Sequence, residues 1–271
     1  MATLEWGPTN RPIDVIWSHA NGFNGMTYRS ILAPLGDTLR VMAVDLRGHG
    51  ASRLPAVVEG RIDWYDMRDD VLALLEALDG PPAVLAGHSM GGAASLMAAA
   101  QAPGRVRGLV LFDPVVLPPE ASAAARAGGT GDNPLRAGAL RRRAIFPDKA
   151  AARAAYAGRG AFRTWSEAMI ADYVEAGFRG RDDGQVELTC APEWEASSFA
   201  SQAHESAAAF AASRAPVDVL RAEEGSTCRF EPDPDGGRIR VETVPDTSHF
   251  LPMERPDLVR ERLRAMVART A

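Results

Sequence analysis

Gly87-His88-Ser89-Met90-Gly91-Gly92 sets a serine among glycines in the pattern G-x-S-x-G. An apolar run, Ala83–His88, precedes it, and a run of small residues, Met90–Gln101, follows it. A serine on a sharp strand-to-helix turn is a candidate nucleophile. The turn exposes its hydroxyl, and the helix N-terminus favours a developing negative charge. Such a turn is strained, so its neighbours must lack side chains, and Gly87 and Gly91 meet that need. His88, inside the motif, reads as a packed residue of the turn rather than as a base.

A serine hydroxyl needs a base to act as a nucleophile. Of the five histidines, His249 is the candidate. It lies in Pro245-Asp246-Thr247-Ser248-His249-Phe250-Leu251, between the last expected strand and the last expected helix. That position faces the carboxyl ends of the strands, where Ser89 also falls. Their distance along the chain is no obstacle, because such a set is assembled in space. His204 lies in a different region and reads as solvent-facing.

These residues need a scaffold. Thr3–Trp6, Ile13–Ser18, Leu39–Asp45, Ala83–His88 and Val106–Asp113 read as strands, several of them nearly continuous in apolar residues. Such runs suit parallel strands buried on both faces. Asp63–Leu78 carries an apolar stripe at Met67, Val71, Leu74, Leu75 and Leu78, and predicts a helix. Alternating strand and helix means an α/β fold with a mostly parallel sheet. The rhythm breaks from Pro114 to about Arg214, a segment rich in Ala and Arg with helical stretches and a Gly-rich hinge at Gly128–Gly131. With no convincing buried strand, it reads as a helical cap, residues 114–214, inserted into a core of residues 1–113 and 215–271. Strands return at Val217–Arg221 and Arg238–Val244, and a helix over Pro256–Arg269 closes the pattern. Cys228–Gly237, with Pro232 and Pro234, reads as an exposed loop.

Composition excludes several classes. Of 271 residues, 46% are hydrophobic and 24% charged, a globular balance. The net charge of −5 predicts no nucleic-acid partner. Lys149 is the single lysine, which argues against lysine Schiff-base cofactors. Cys190 and Cys228 are too few for a disulfide framework or a four-thiolate zinc site, and read as free thiols. No histidine–carboxylate cluster has metal spacing, and neither G-x-G-x-x-G opening a βα unit nor G-x-x-x-x-G-K-[ST] occurs, so no cofactor is expected. No apolar run approaches the ~20 residues of a membrane span. The N-terminal residues lack a secretory pattern, and a cytoplasmic location is expected. The sequence leaves the oligomeric state open.

Taken together, the chain resembles the α/β-hydrolase superfamily. The resemblance rests on Gly87–Gly92, on Asp45-Leu46-Arg47-Gly48-His49-Gly50-Ala51-Ser52, which has the family's D-x-R-G-x-G-x-S form, and on Ser248-His249-Phe250 before the last helix. His19-Ala20-Asn21-Gly22-Phe23 stands where the family usually reads H-G-x-P-G, and departs from it at Ala20 and Gly22. The resemblance implies an oxyanion hole built from the backbone N–H groups of Asn21 and Met90. It implies structural roles for His19 and His49.

The resemblance also frames the search for the acid. The family usually carries it after the strand corresponding to Val217–Arg221, where this chain reads Arg221-Ala222-Glu223-Glu224-Gly225-Ser226-Thr227 and has no aspartate. Some relatives, such as haloalkane dehalogenases, carry it after the strand that follows the nucleophile's helix, where Asp113 stands here. Asp113 is the favoured acid, Glu223 or Glu224 the alternative, and Asp246 a weaker one. Relatives with aspartate at the elbow attack alkyl carbons, whereas Ser89 suits acyl transfer. The implied activity is hydrolysis of a small-molecule acyl substrate, foremost a small carboxylic ester. Lactones, thioesters, carbon–carbon bonds and peracid formation stay open within that class. A non-catalytic protein that binds or senses a small ligand on the same fold is the alternative. Phe23, Trp165 and Trp194 are candidate substrate contacts. Phe162, Tyr173, Phe199 and Phe210 either join them or form the inserted segment's own core.

Overall fold

The structure, a computed structural model, describes residues 1–128, 133–231 and 237–271. Its main sheet contains β1 (Ala2–Trp6), β2 (Val15–Ser18), β3 (Val41–Asp45), β4 (Ala83–His88), β5 (Val106–Phe112), β9 (Val217–Ala222) and β10 (Ile239–Val244). The strand order is β1-β3-β2-β4-β5-β9-β10. β1 runs antiparallel to β3, and every other pairing is parallel. This is the α/β-hydrolase architecture.

The apolar runs become central strands because both faces are covered. β2, β3 and β4 are buried at every residue. Successive side chains point to opposite faces of a strand, and they enter two separate cores. Val15, Trp17, Val84, Ala86, Val110 and Phe112 pack with Val259, Leu263 and Met266 of the last helix, Pro256–Arg269. Ile16, Leu85, Leu109 and Leu111 pack with Met67, Val71 and Leu75 of the helix Tyr65–Ala77 and with the helix Met90–Gln101.

Between β5 and β9 the chain forms the helices Pro119–Arg126, Pro134–Leu140, Lys149–Tyr156, Glu167–Gly177, Pro192–Ala200 and Ser206–Ala212. Among the described residues it also forms three strands, β6 (Ile145–Phe146), β7 (Phe178–Gly180) and β8 (Val186–Leu188), paired antiparallel in the order β6-β8-β7. The sequence showed no convincing buried strand here, and these strands are mostly exposed or half-buried. Each strand is two or three residues long, too short to leave a periodic signal. Phe146 meets Phe178 edge-on at 5.5 Å, and Glu187 pairs with Arg179 and Arg181. Most of the expected hinge, residues 129–131, lies outside the described residues, as do residues 232–236 of the expected loop. Cys228 corrects that loop at its start. It is buried and bridges to Val116.

Register places the chemistry. His88 of β4 pairs with Phe112 of β5, and Phe112 pairs with Leu220 of β9. Ser89, Asp113 and the stretch after Leu220 therefore leave the sheet side by side at one carboxyl edge, where open α/β sheets bind ligands.

Candidate active site

Ser89 sits between β4 and the helix Met90–Gln101 with φ 55° and ψ −120°, a conformation costing ~1–3 kcal/mol for a residue with a side chain. The surroundings hold it there. Its N–H donates to Phe112 O at 3.0 Å, and its carbonyl accepts from Ala93 and Val115. A Cβ on Gly91 would stand 2.3 Å from Ser18 O, and one on Gly87 would stand 2.6 Å from Gly91 C. Only glycine lets the helix start so close to β2 and β4.

Asp113 is also strained, with φ 41°, and it is fully buried. Its Oδ1 accepts from Ala222 N–H at 2.9 Å and from the Ser226 hydroxyl at 2.5 Å. Its Oδ2 accepts from Thr227 N–H at 3.1 Å and faces His249 Nδ1 at 2.5 Å. Burial alone would push this carboxyl up. The hydrogen bond and charge of His249, with the Ser226 and Ala222 donors, outweigh burial and hold it below the usual carboxylate range. An ionised Asp113 only accepts, so His249 Nδ1 carries a proton and Nε2 presents its lone pair. That nitrogen lies 2.9 Å from Ser89 Oγ. Ser89, His249 and Asp113 are thus in contact in the order a proton transfer from the serine hydroxyl requires.

The alternative acids stand elsewhere. Glu223 Oε2 accepts Asp246 N–H at 2.9 Å and steadies that residue at φ 55°. Glu224 N–H donates to Thr247 O. Both brace the loop that carries His249. Ser226, in the stretch after β9 where the resemblance led one to expect an acid at Gly225 or Ser226, donates to Asp113. Sequence reasoning missed the donors to Asp113 here, Ser226 and Thr227, whose one signal was a pair of hydroxyls in that stretch. It also missed Glu254, which accepts from Ser248 N–H at 2.8 Å, the Ser248 hydroxyl at 2.7 Å and the Thr164 hydroxyl at 3.1 Å.

In the loop 19–23, most backbone donors are engaged. Ala20 N–H reaches the Tyr28 hydroxyl at 3.2 Å, Gly22 N–H reaches His49 Nε2 at 3.1 Å, and Phe23 N–H reaches Ala20 O at 3.1 Å. Among the described residues, Asn21 N–H has no acceptor. Met90 is the first residue of its helix, where a backbone N–H has no intrahelical partner. The inserted segment touches this loop. Asn21 Nδ2 donates to Glu195 O at 3.0 Å. Glu195 pairs with Arg142, whose guanidinium also donates to the Tyr173 hydroxyl at 2.6 Å.

Phe23 is the hub of an aromatic group. Its ring lies 5.1 Å from Trp165, 5.8 Å from Tyr173, 6.3 Å from Phe250 and 6.5 Å from Phe162. Phe250 follows His249, so this group borders the site. Trp194 does not belong to it. Its indole N–H donates to Arg47 O at 3.0 Å, and Arg61 stacks on its ring at 4.1 Å. Phe210 stacks on Phe230 at 4.0 Å in the other core. His204 corrects the expectation of a solvent-facing residue. It is fully buried and stacked on Trp64 at 4.3 Å, because the segment folds back against the helix Tyr65–Ala77. Among the described residues, no group of three or more His, Cys, Asp or Glu could hold a metal ion, and no helix is long and apolar enough to cross a membrane.

Comparison with known proteins agrees with the fold. Human monoglyceride lipase (Homo sapiens) is 37% identical over 118 residues, 41% of this chain and 38% of the lipase. The 3-oxoadipate enol-lactonase 2 of Acinetobacter baylyi is 34% identical over 142 residues, 52% of this chain and 48% of the lactonase. The matches thus span half or less of these curated hydrolases. The crystal structure of an E-2-(acetamidomethylene)succinate hydrolase superposes with a TM-score of 0.75 at 24% identity, covering 98% of this chain and 94% of that one. At that identity the likeness is one of fold. A model of the alpha/beta hydrolase family matches residues 15–262, a span that holds the elbow, both neighbouring strand ends and the histidine loop: the chain belongs to the alpha/beta hydrolase family.

Proposed function

We propose that the protein is a serine hydrolase acting on a small carboxylic ester through an acyl-enzyme intermediate. The observation that carries this reading is the position of His249 between Ser89 Oγ at 2.9 Å and Asp113 Oδ2 at 2.5 Å. Ser89 Oγ attacks the carbonyl carbon and passes its proton to His249 Nε2. Asp113 holds the imidazole in the required tautomer and stabilises the imidazolium. The carbonyl oxygen becomes an oxyanion and accepts from Asn21 and Met90 N–H, donors worth ~3 kcal/mol each in such sites. The imidazolium then protonates the leaving alcohol. Water, deprotonated by His249, releases the acid and restores Ser89. The scheme uses no cofactor.

Residues 114–214 act as a cap on a core of residues 1–113 and 215–271. Three contacts support this. The helix Glu167–Gly177 is held to the core where Asp172 accepts from Ser30 N–H at 2.9 Å. Glu195 lies against Asn21, and Thr164 bonds Glu254. Phe23 and Trp165 form the apolar wall for the substrate. The Trp165 indole N–H is buried without a partner, which fits a donor to a polar atom of the substrate. Hydrolysis of p-nitrophenyl esters from acetate to decanoate tests this reading. Turnover that peaks at short acyl chains supports a small ester, and no turnover with any ester refutes the reading.

A further inference from the structure

His88 lies inside the elbow but outside the Ser89–His249–Asp113 contacts. Its proton position is fixed by its neighbours. His88 Nε2 lies 2.7 Å from His249 O. A carbonyl only accepts, so Nε2 carries the proton. His88 Nδ1 lies 2.8 Å from the Tyr28 hydroxyl, whose oxygen also accepts Ala20 N–H at 3.2 Å. The unprotonated Nδ1 of a neutral His88 accepts a hydrogen bond from the Tyr28 O–H, and each donor in this series of hydrogen bonds then has an acceptor. A second proton on His88 would leave the Tyr28 O–H without one. Both residues are fully buried, so an orphaned group there cannot turn to water. Burial pushes His88 down to about 3, in agreement with this proton count.

This hydrogen-bond series ends on Ala20 N–H and on His249 O. Ala20 precedes Asn21, whose N–H has no acceptor among the described residues, and the accepting carbonyl belongs to His249 itself. Tyr28 is held in place at the end of a 3-10 turn, Gly25–Tyr28, that Asn24 caps. Its ring lies 4.9 Å from Trp17 of β2. The neighbouring histidines show the same economy of protons. Leu46 N–H reaches His19 Nε2 at 2.9 Å, so His19 Nδ1–H donates to Ala20 O at 2.7 Å. Gly22 N–H reaches His49 Nε2, so His49 Nδ1–H donates to Arg47 O at 2.9 Å. The N–H groups of Ala20, Gly22 and Phe23 are thus each bound to a fixed group, and among the described residues Asn21 N–H, between them, has no acceptor.

We propose that Tyr28 and His88 are positioning residues, forming a neutral hydrogen-bond relay from Ala20 N–H through the Tyr28 hydroxyl and His88 to His249 O that sets the oxyanion loop and the catalytic histidine relative to each other. This rests on the serine-hydrolase reading above. The two parts come from opposite ends of the sequence, and the relay makes one register serve both. It also keeps charge away from His249, since the His88 ring lies 5.0 Å from the His249 ring and a cation there would oppose the imidazolium.

The test compares wild type with Tyr28→Phe, His88→Leu and His88→Gln on a p-nitrophenyl ester and on a fluorophosphonate probe, with thermal unfolding to check the fold. Loss of one buried partner predicts a fall in kcat of roughly 10- to 100-fold for Tyr28→Phe and His88→Leu. KM should stay within about twofold, because the relay acts on the reacting groups and not on the apolar wall. His88→Gln should recover part of the loss, since its amide N–H can reach the His249 carbonyl. Probe labelling should slow in step with kcat. Folded Tyr28→Phe and His88→Leu with wild-type kcat would overturn the relay. Wild type that neither labels nor turns over esters would overturn the hydrolase reading instead. Nitrogen-15 NMR of wild-type imidazoles decides the relay without any variant or activity. The account expects a neutral His88 with its proton on Nε2, and a proton on Nδ1 or a charged ring at pH 7 contradicts it.

Discussion

His249 Nε2 stands 2.9 Å from Ser89 Oγ although 160 positions separate them in sequence. Two features of the fold bring them together. β4 and β5 pair at His88 and Phe112, so Ser89 and Asp113 leave adjacent strands at the same height. The loop after β10 then hangs His249 over both, braced by Glu223 at Asp246 and by Glu254 at Ser248.

Asp113→Asn should lower kcat on the order of 10³–10⁴-fold. The amide cannot accept from Ala222, Ser226, Thr227 and His249 as the carboxylate does, and it favours the wrong imidazole tautomer. Glu223→Gln and Glu224→Gln should keep most activity. Steady-state kinetics of the three variants checks the assignment, and a Glu223 or Glu224 variant that loses more than Asp113→Asn contradicts it.

Gly91→Ala should fail to reach a native, active state. The added Cβ would fall 2.3 Å from Ser18 O and 2.5 Å from His19 O, both backbone atoms that cannot step aside without moving β2. Thermal unfolding measures this. A variant with the wild-type midpoint would show that the helix can shift.

His204→Phe should make the protein less sensitive to acid. His204 is buried with both ring nitrogens unpartnered, and burial pushes it down to about 3. The unfolded chain takes up its proton near 6.5. The folded pKa is thus depressed, and stability is full above pH 6.5 and falls as the pH drops toward 3. Phenylalanine keeps a ring against Trp64 and does not titrate. Its advantage over wild type should be about 2 kcal/mol larger at pH 5 than at pH 8. Urea unfolding at the two pH values checks this, and an equal difference at both would contradict it.

Glu254→Gln should reduce kcat about fivefold with little change in KM. The carboxylate accepts both the N–H and the hydroxyl of Ser248, next to His249. An amide puts a donor against one of them, at a cost of ~1 kcal/mol. Unchanged kcat would mean that Glu223, Glu224 and its own turns suffice to hold the histidine loop.

Much of this was legible in the sequence for physical reasons. Ser89 announced itself through the glycines that steric crowding demands, and His249 through its place before the last helix. Asp113 ended an apolar run that follows the nucleophile's strand and helix, which in a right-handed doubly wound sheet puts it beside Ser89, and the β4–β5 register has it there. The roles of Ser226, Tyr28 and Glu254 were not readable, because a single hydroxyl or carboxylate carries no periodicity and its partner is set by tertiary structure. The same holds for Trp194 and His204. Their residue types fit a pocket or a surface, and only the packing of the inserted segment against Arg47 and Trp64 decided otherwise. The three short strands β6, β7 and β8 escaped because two or three residues cannot display alternation.

The most direct measurement is covalent labelling by a fluorophosphonate, followed by mass mapping of the adduct. The phosphorus centre mimics the tetrahedral state, so it reports nucleophile, base and oxyanion donors in a single event. The account predicts one adduct per chain at Ser89, none in Ser89→Ala, and strongly slowed labelling in His249→Ala, with the double variant no worse than Ser89→Ala alone because the two residues act as a unit. An adduct at another residue, or wild-type protein left unlabelled while esters are still hydrolysed, would contradict the assignment of Ser89 as the nucleophile.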